Sequence, residues 1–363
     1  MQPYNHPEEL IYLIAFSMLK SINECSKKKC IEQFGSAKNA YDAFQEDAQL
    51  CQYKWPFDKA KKEIEFINKH QITAITIKEA NYPNRLLHCE DAPIVMYLKG
   101  NPQFNLPHLI SVVGSRRHTI QVNKIVKELI EGLQHLPIGI ISGLAQGVDG
   151  IVHQTALQKQ LPTWAVLGHG LDQIYPPQHR SLAIKMLTDG GLITEFASNT
   201  PPLSFHFPKR NRIVAGMSDC TIVVESGLKG GSMITASVAR DYNREVFAVP
   251  GKIHDPRSEG CLSLIKKNTA QLYHDPTHLL ECLNWPSAPP KLPIISTPTL
   301  QLNLKETHKI LLLYIENQGP LHYDILSTQF KLPPSQLAQI LLELELKGFI
   351  YRQAGNLYAR KLI

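Results

Sequence analysis

A glycine and three polar residues follow the strand-like run Ile110–Val113. Gly114, Ser115, Arg116 and Arg117 lie where a strand of buried character gives way to a helix. The unpaired N–H groups at a helix N-terminus bind phosphate, and an arginine adds a bidentate, charge-assisted contact. Because the full G-x-G-x-x-G of a dinucleotide site is absent, a tight structural turn is the alternative interpretation.

A second glycine turn contains Gly143 and Gly147, and the helix after it carries Asp149 and His153, four residues apart. An acid–base pair is one interpretation of this spacing. The alternative, which we favour, is that Asp149 caps the first turn while His153 hydrogen-bonds a neighbouring loop. The first interpretation predicts catalysis, and the second predicts a purely structural role.

The sequence FHFPKRNR, which begins at Phe205, places two aromatic rings beside three cations. Bases of single-stranded nucleic acid stack on such rings while the cations contact phosphates. The candidate contacts are Phe207, Lys209, Arg210 and Asn211. The alternative is that Phe205 and Phe207 anchor the segment in the core.

A further glycine loop comprises Lys229, Gly230, Gly231 and Ser232 and again precedes a helix. Together with a turn at Gly168, four loops of this kind follow predicted strands. The carboxyl ends of parallel strands meet at one edge of a sheet, where doubly wound folds bind ligands. We therefore expect the four loops to face one crevice.

Composition and charge exclude several classes of protein. The 363 residues, 43% hydrophobic and 19% charged, predict a globular chain of two or three domains. The net charge of 38 − 32 = +6 permits nucleic-acid binding without requiring it. Seven scattered cysteines without a CxxC pair indicate neither a disulfide framework nor a zinc site, so we expect buried free thiols in the cytoplasm. The apolar stretch 10–19 is neither a signal peptide nor long enough to cross a membrane.

The loops are positioned by strands that alternate with helices. Residues 7–70 predict short helices, with a stop at Gly35 and a new cap at Ser36. Apolar runs then predict strands at 110–113, 139–141, 164–167, 191–194, 220–224 and 246–249. Helical patterns lie between them at 120–135, 147–160, 178–189, 209–216 and 231–243. This alternation predicts an α/β fold with a Rossmann-like, doubly wound, mostly parallel sheet.

The C-terminal part reads as a separate module. Five prolines between Pro286 and Pro298 predict a semi-rigid linker. Helices at 305–317, 321–330 and from Pro333 to Gly348, followed by a hairpin, describe a winged helix. We thus predict a helical domain at 1–75, a Rossmann-like domain at 76–285, a linker at 286–302 and a winged helix at 303–363.

Several motifs in a fixed order resemble the DNA-processing protein A (DprA/Smf) family. They are NYPxxL from Asn81, VVGSRR from Val112, SGLAQGVD from Ser142, LGHGLDQIYP from Leu167, FPKRNR from Phe207, GGSMITA from Gly230 and FAVPG from Phe247. The resemblance covers about residues 80–275. It implies binding of single-stranded DNA, a homodimer formed through the Rossmann-like domain, and recruitment of the RecA recombinase during natural transformation.

The resemblance places Gly114, Ser115, Arg116, Phe207, Arg210 and the 229–232 loop at the DNA pocket. The chain departs from the family at Leu262, where asparagine is usual, and at Asn268, where glycine is usual. Asparagine can still take a left-handed conformation. The N-terminal domain, similar to SAM or helix-hairpin-helix domains, lacks the glycine turn that contacts phosphate, so we assign no DNA contact to residues 1–75.

Two other functions compete with DNA binding. A Rossmann-like nucleotide phosphoribohydrolase is one, but the PGGxGTxxE motif typical of that family is missing from the region after Lys229, which leaves Glu195 and Glu225 as unassigned carboxylates. A sequence-specific regulator is the other, but the third winged-helix helix offers Glu343 and Glu345 rather than cations. Protein contact or a regulatory lid suits that helix at least as well. We expect no enzymatic activity, no cofactor and no metal.

Overall fold

The computed structural model describes residues 7–286, 306–353 and 356–360. The chain divides into two compact units, with the division between Ala288 and Pro289. The first unit contains the N-terminal helices and a large sheet, and the second contains a small helical module. Of the predicted linker 286–302, only Pro286 lies within the described residues.

Four short helices open the first unit. They are α1 (Pro7–Ser17), α2 (Glu24–Phe34), α3 (Ala37–Glu46) and α4 (Phe57–Lys69). Gly35 ends α2 with a φ of 76°, and the Ser36 side chain caps α3 by accepting from the Asn39 N–H, so the predicted stop and cap are confirmed. Stacked and edge-on aromatic rings, among them Phe16, Phe44 and Trp55, fill the core between these helices.

A nine-stranded sheet forms the centre of the first unit. Its strands are β1 (Thr73–Thr76), β2 (Val95–Gly100), β3 (His108–Val113), β4 (Ile138–Ser142), β5 (Thr163–Val166), β6 (Gly191–Thr194), β7 (Cys220–Val223), β8 (Glu245–Ala248) and β9 (Gln271–Leu272). Their order is β1-β2-β6-β5-β4-β3-β7-β8-β9. Strands β3 to β9 pair in parallel, whereas β2 is antiparallel to both β1 and β6.

Helices cover both faces of this sheet. They are α5 (Asn84–Leu87), α6 (Gln121–Leu133), α7 (Val148–Gln158), α8 (Arg180–Met186), α9 (His206–Gly216), α10 (Gly231–Asp241), α11 (Glu259–Lys266) and α12 (Pro276–Cys282). Along β3, Ile110 and Val112 belong to the core under α6 and α7, while Leu109 and Val113 belong to the core under α9 and α10. Burial on both faces explains why the strands read as unbroken apolar runs.

The sheet changes direction beside β3. From β3 the chain adds β4, β5 and β6 on one side, and then crosses to add β7, β8 and β9 on the other. The loops after β3 and β7 therefore leave in opposite directions and open a crevice at the carboxyl ends of these strands. The predicted α/β, doubly wound, mostly parallel fold is confirmed.

The second unit is a winged helix, as predicted. It contains α13 (Glu306–Gln318), β10 (Leu321–His322), α14 (Tyr323–Phe330), α15 (Pro334–Leu346), β11 (Ile350–Gln353) and β12 (Leu357–Arg360). The strands form a sheet in the order β10-β12-β11. Ala354 and Gly355 of the predicted wing turn lie outside the described residues.

Several local predictions need correction. Residues 321 and 322 form a strand rather than the start of a helix, because they pair with β12 and His322 caps α14. The helix predicted at 178–189 begins as a 3-10 turn at Pro177–His179 and ends at Met186. All seven cysteines are free, but only Cys89, Cys220 and Cys261 are buried. Asn268 takes the left-handed conformation that was predicted, with a φ of 52°.

The part of the chain that the structure describes contains neither a metal-ligand cluster nor a membrane-spanning helix. Within the described residues, no group of three or more histidines, cysteines and carboxylates is arranged to hold a metal ion. In the same part of the chain, every helix is too short or too polar to cross a membrane.

Candidate functional site

A cleft of about 530 Å³ lies at the carboxyl ends of β3 and β7, where the sheet changes direction. The turn after β3, helix α9 with the segment before it, and the loop that leads into α10 supply most of its lining. Ala145 and Asp149 from the second glycine turn and the start of α7, and Tyr175 from the loop after β5, complete it. Nine of the residues predicted from the sequence line the cleft: Gly114, Ser115, Arg116, Phe207, Arg210, Asn211, Gly230, Gly231 and Ser232. Residues of all four glycine-loop motifs thus lie at one crevice, although Gly143, Gly147 and Gly168 do not line it themselves.

The turn after β3 forms one wall. The Ser115 N–H donates to the Glu225 carbonyl at 2.7 Å and ties this turn to the end of β7. A Cβ at Gly114 would lie 2.6 Å from the Val148 side chain, so only glycine fits there. Arg116 is exposed and its guanidinium lies 5.6 Å from the centre of the Phe207 ring. Arg117 is exposed too, but it does not line the cleft.

Gly143 and Gly147 support the cleft from behind. Gly147 has a φ of 86°, and a Cβ there would lie 2.3 Å from the Ser115 carbonyl oxygen. A Cβ at Gly143 would lie 2.2 Å from Nη1 of Arg210. Neither glycine lines the cleft. Both allow neighbouring segments to approach more closely than a side chain permits.

Asp149 and His153 both have hydrogen-bond partners, but not those that the favoured interpretation predicted. Asp149 lines the cleft and binds the loop before α7 instead of capping the first turn, and His153 binds a residue of β5 instead of a loop. Asp149 Oδ2 accepts from the N–H groups of Gly143 and Ala145, both at 3.2 Å. Burial raises the pKa of this carboxyl, and the charge of Arg210 opposes the rise. The His153 ring is buried with Nδ1 2.7 Å from the Thr163 hydroxyl, and burial lowers its pKa to about 3. The imidazole is therefore neutral and faces no substrate-sized space.

Helix α9 presents two different faces. With about 3.6 residues per turn, Phe207, Arg210 and Asn211 share the face toward the cleft, while Lys209 lies on the opposite side. The Lys209 ammonium is 3.1 Å from a Glu24 oxygen and 3.3 Å from a Glu195 oxygen. The structure therefore separates Lys209 from the other predicted contacts and pairs it with two carboxylates.

Arg210 forms the buried floor of the cleft, with only 4% of the residue exposed. Its Nη1 donates to the carbonyl oxygens of Gly143, at 2.7 Å, and of Val166. Burial lowers the pKa of the guanidinium to about 10, an effect that the Asp149 charge opposes. Nε has no hydrogen-bond partner among the described residues. The guanidinium thus holds the ends of β4 and β5 together and gives the floor a positive charge.

Aromatic rings form the mouth of the cleft. Phe207 is half-buried, and its ring centre lies 5.9 Å from that of Tyr175, whose residue is 43% exposed. Tyr175 was missed as a candidate, although it stands in the LGHGLDQIYP motif and follows a glycine-rich strand end. Phe205 is 65% exposed and does not line the cleft, so neither ring is a core anchor of the kind weighed above.

The loop before α10 forms the opposite wall. Gly230, Gly231 and Ser232 line the cleft at the N-terminus of an 11-residue helix. The Ser232 hydroxyl donates to the Ser226 hydroxyl at 2.8 Å, and no atom lies within 4 Å of a Cβ built at Gly231. The Lys229 side chain is exposed on the neighbouring surface groove rather than in the cleft.

The two unassigned carboxylates have structural partners. Glu225 accepts from the Thr119 hydroxyl at 2.7 Å and from its N–H at 3.2 and 3.3 Å. Glu195 Oε2 lies 2.5 Å from Nη2 of Arg212. Both carboxylates are thus engaged by donors, Glu225 by Thr119 and Glu195 by Lys209 and Arg212. The cleft offers aromatic faces, backbone N–H groups and guanidinium charge, which suit a base with its phosphate better than they suit acid–base chemistry.

Comparison with known proteins finds relatives over most of the chain. A family model described as DNA recombination-mediator protein A matches residues 73–284, and one described as DprA winged helix domain matches residues 296–356. Protein Smf of Escherichia coli (strain K12) is 38% identical over 281 residues, which are 76% of this chain and 74% of that protein.

Two solved structures are similar as well. The X-ray structure of DNA processing protein A from Streptococcus pneumoniae has a TM-score of 0.61 at 30% identity and covers 77% of this chain and 98% of its own. DNA processing protein A from Helicobacter pylori is described as having a unique single-stranded DNA binding mode. Its structure has a TM-score of 0.54 at 27% identity, and the match covers 59% of this chain and 96% of that one.

Proposed function

Because this chain belongs to the DNA recombination-mediator protein A family, which matches more than half of its length, we propose that its cleft binds single-stranded DNA. One observation carries the proposal: Tyr175 and Phe207 stand at the mouth of a cleft whose walls are glycine loops and whose floor is a buried arginine. Exposed rings stack on bases that duplex DNA keeps inside its own stack. The relative from Helicobacter pylori, described as binding single-stranded DNA, supports the same conclusion.

The proposed contacts fall into two groups. Arg116, with the N–H groups at Gly114, Ser115 and the start of α10, contacts phosphate. Phe207 and Tyr175 contact bases, with Asn211 and Ser232 as polar neighbours. Arg117 and Lys229 are exposed cations beside the cleft and extend the path of the strand. Arg210 provides the charged floor of the cleft, and Gly143 and Gly147 shape it from behind.

The wider role follows from the family resemblance. We propose that the protein protects incoming DNA in the cytoplasm, forms a homodimer through the Rossmann-like domain, and helps to load the RecA recombinase. It acts by binding rather than by catalysis. The structural engagement of Glu195 and Glu225 supports this, and no observation favours the phosphoribohydrolase alternative. Purified protein should release neither base nor ribose phosphate from nucleoside monophosphates.

The central test compares single-stranded and duplex DNA of the same sequence in an anisotropy assay at several salt concentrations. We expect clear preference for the single strand and a log–log salt slope of roughly −0.7 per phosphate neutralised. Arg116→Ala should weaken binding to every sequence and reduce the slope by about 0.7 or less. Arg240→Ala, an exposed arginine at the far end of α10, is the matched control and should change neither. Equal affinity for duplex and single strand would contradict the proposal.

A further inference from the structure

One wall of the cleft comes from a segment that has little regular structure of its own. Residues 195–205, between β6 and α9, contain no helix or strand. This stretch and the start of α9, here called the β6–α9 segment (residues 195–212), supply Pro202, Ser204, Phe207, Arg210 and Asn211 to the cleft. The order of its irregular part, residues 195–205, must therefore come from contacts with other parts of the chain.

The first such contact is Glu63 of α4. Its residue is 4% exposed. One carboxylate oxygen accepts from the Ser198 hydroxyl at 2.5 Å, and both oxygens accept from the Ser198 N–H, at 2.9 and 3.0 Å. This buried carboxylate therefore binds a single serine in the middle of the irregular stretch 195–205. Burial raises the pKa of this carboxyl, and its hydrogen bonds with Ser198 oppose the rise.

The second contact is Glu24 of α2. Its Oε1 lies 3.1 Å from the Lys209 ammonium and 3.1 Å from that of Lys27. Lys209 also reaches Glu195, which in turn binds Arg212. The carboxylates of Glu24 and Glu195 have side chains only 13% and 5% exposed, so solvent screens these pairs weakly.

We infer that the N-terminal helices act as a brace that holds the β6–α9 segment in its DNA-binding position, with Glu24 and Glu63 as the positioning residues. The inference rests on the proposed function of the cleft and deepens it. It also gives the N-terminal helices a role that requires no DNA contact of their own. Lys209 belongs to this brace and does not contact phosphate.

The test uses the full chain with Glu24→Gln and Glu63→Gln. Each variant keeps the shape of the side chain and replaces one carboxylate oxygen with an amide nitrogen, which cannot accept a hydrogen bond from Ser198 or pair with Lys209. We expect each to bind single-stranded DNA about tenfold more weakly, with an unchanged salt slope because no phosphate contact is lost. Glu32→Gln on α2 and Glu65→Gln on α4 are matched controls, since both are exposed and carry the same charge change. The controls should bind as the wild type does.

Lys209→Met separates positioning from contact. The brace predicts weaker binding at an unchanged salt slope. A slope that falls by about 0.7 would make Lys209 a phosphate contact and would overturn its place in the brace.

Hydrogen exchange in the absence of DNA gives a second readout. In Glu24→Gln and Glu63→Gln, amides of 195–212 should exchange faster while those of the central strands stay protected. Ser198→Ala removes only the hydroxyl bond and serves if a glutamate variant fails to fold. Wild-type affinity together with wild-type exchange in the brace variants overturns the inference and leaves the proposed function intact. If the wild type binds no single-stranded DNA, the proposed function fails, and exchange alone decides whether the brace exists.

Discussion

Arg210 connects stability and function in a single side chain. Its guanidinium bonds the carbonyl oxygens that follow β4 and end β5, and the same group is the charged floor of the cleft. Under the proposed function, this cation attracts the phosphates of the strand without reorganising. Burial of this charge is unfavourable, and the hydrogen bonds of the guanidinium and the nearby Asp149 offset it.

Arg210→Ala should therefore destabilise the protein itself. The change leaves two buried carbonyl oxygens without a donor and removes the cation that favours ionised Asp149. We expect the free energy of unfolding to fall by roughly 2–4 kcal/mol, measured by urea denaturation. Arg240→Ala should stay within about 0.5 kcal/mol of the wild type. A variant as stable as the wild type would show that the two carbonyl bonds contribute little and that Arg210 acts only on DNA.

The sequence predicts the composition of the site better than the orientation of its side chains. FPKRNR correctly indicates a cluster at a helix start, and Phe207 and Asn211 do line the cleft. The FPKRNR motif alone does not distinguish an exposed cation from a buried one. Arg210 is buried because Gly143 leaves room for it, and Lys209 turns away because Glu24, 185 residues earlier, receives it. Both facts depend on distant parts of the chain.

At the scale of elements, the glycines at the helix starts have two distinct purposes. Gly147 precedes α7 in a backbone conformation that other residues avoid, pressed against the turn after β3. Gly231 begins α10 in ordinary conformation with open space beside it on the cleft side. Only the first glycine is needed by the fold. The second leaves the N–H groups at the start of α10 accessible from the cleft.

A pair of alanine substitutions distinguishes these purposes. Gly147→Ala should destabilise the protein by more than about 2 kcal/mol, because of its φ and its clash with Ser115. Gly231→Ala should leave stability unchanged or raise it slightly. It should nevertheless weaken single-stranded DNA binding about tenfold, because a methyl group then separates the strand from the N–H groups of α10. Thermal unfolding and anisotropy on both variants give the comparison. Unimpaired binding by Gly231→Ala would remove the start of α10 from the interface.

The pattern of elements was largely predictable. Unbroken apolar runs with helices between them specify a two-sided parallel sheet, and β3 to β8 lie where those runs do. Strands β1 and β2 were not predicted. Their antiparallel pairing attaches them to β6, which follows β2 by about 90 residues along the chain. No local pattern specifies a partner at that distance.

At the scale of the whole molecule, the cleft residues all belong to the first compact unit. The winged helix has a third helix, α15, without a lysine or arginine. It also carries the exposed apolar residues Leu342 and Leu346. These features suit contact with protein better than insertion into a DNA groove.

A chain that ends at Pro286 should therefore fold and retain its affinity for single-stranded DNA. It retains Trp285, which packs against the core of the first unit. We expect its affinity to stay within about tenfold of that of the full chain, a difference of at most about 1.4 kcal/mol. Anisotropy with the full chain as reference measures this. A loss of several hundredfold, with intact circular dichroism and melting, would instead assign DNA binding to the winged helix.

The antiparallel pairing of β2 with β6 means that β2 is synthesised well before the strand it pairs with. Gly100 pairs with Gly191, so β2 leaves the ribosome roughly 5–20 seconds before its partner at a bacterial elongation rate of about 5–20 residues per second. During that interval the N-terminal helices and the β1–β2 pair can assemble, but one strand edge is still open. The nascent chain passes through a stage with an unsatisfied edge, which is the time at which chaperones would matter most to it.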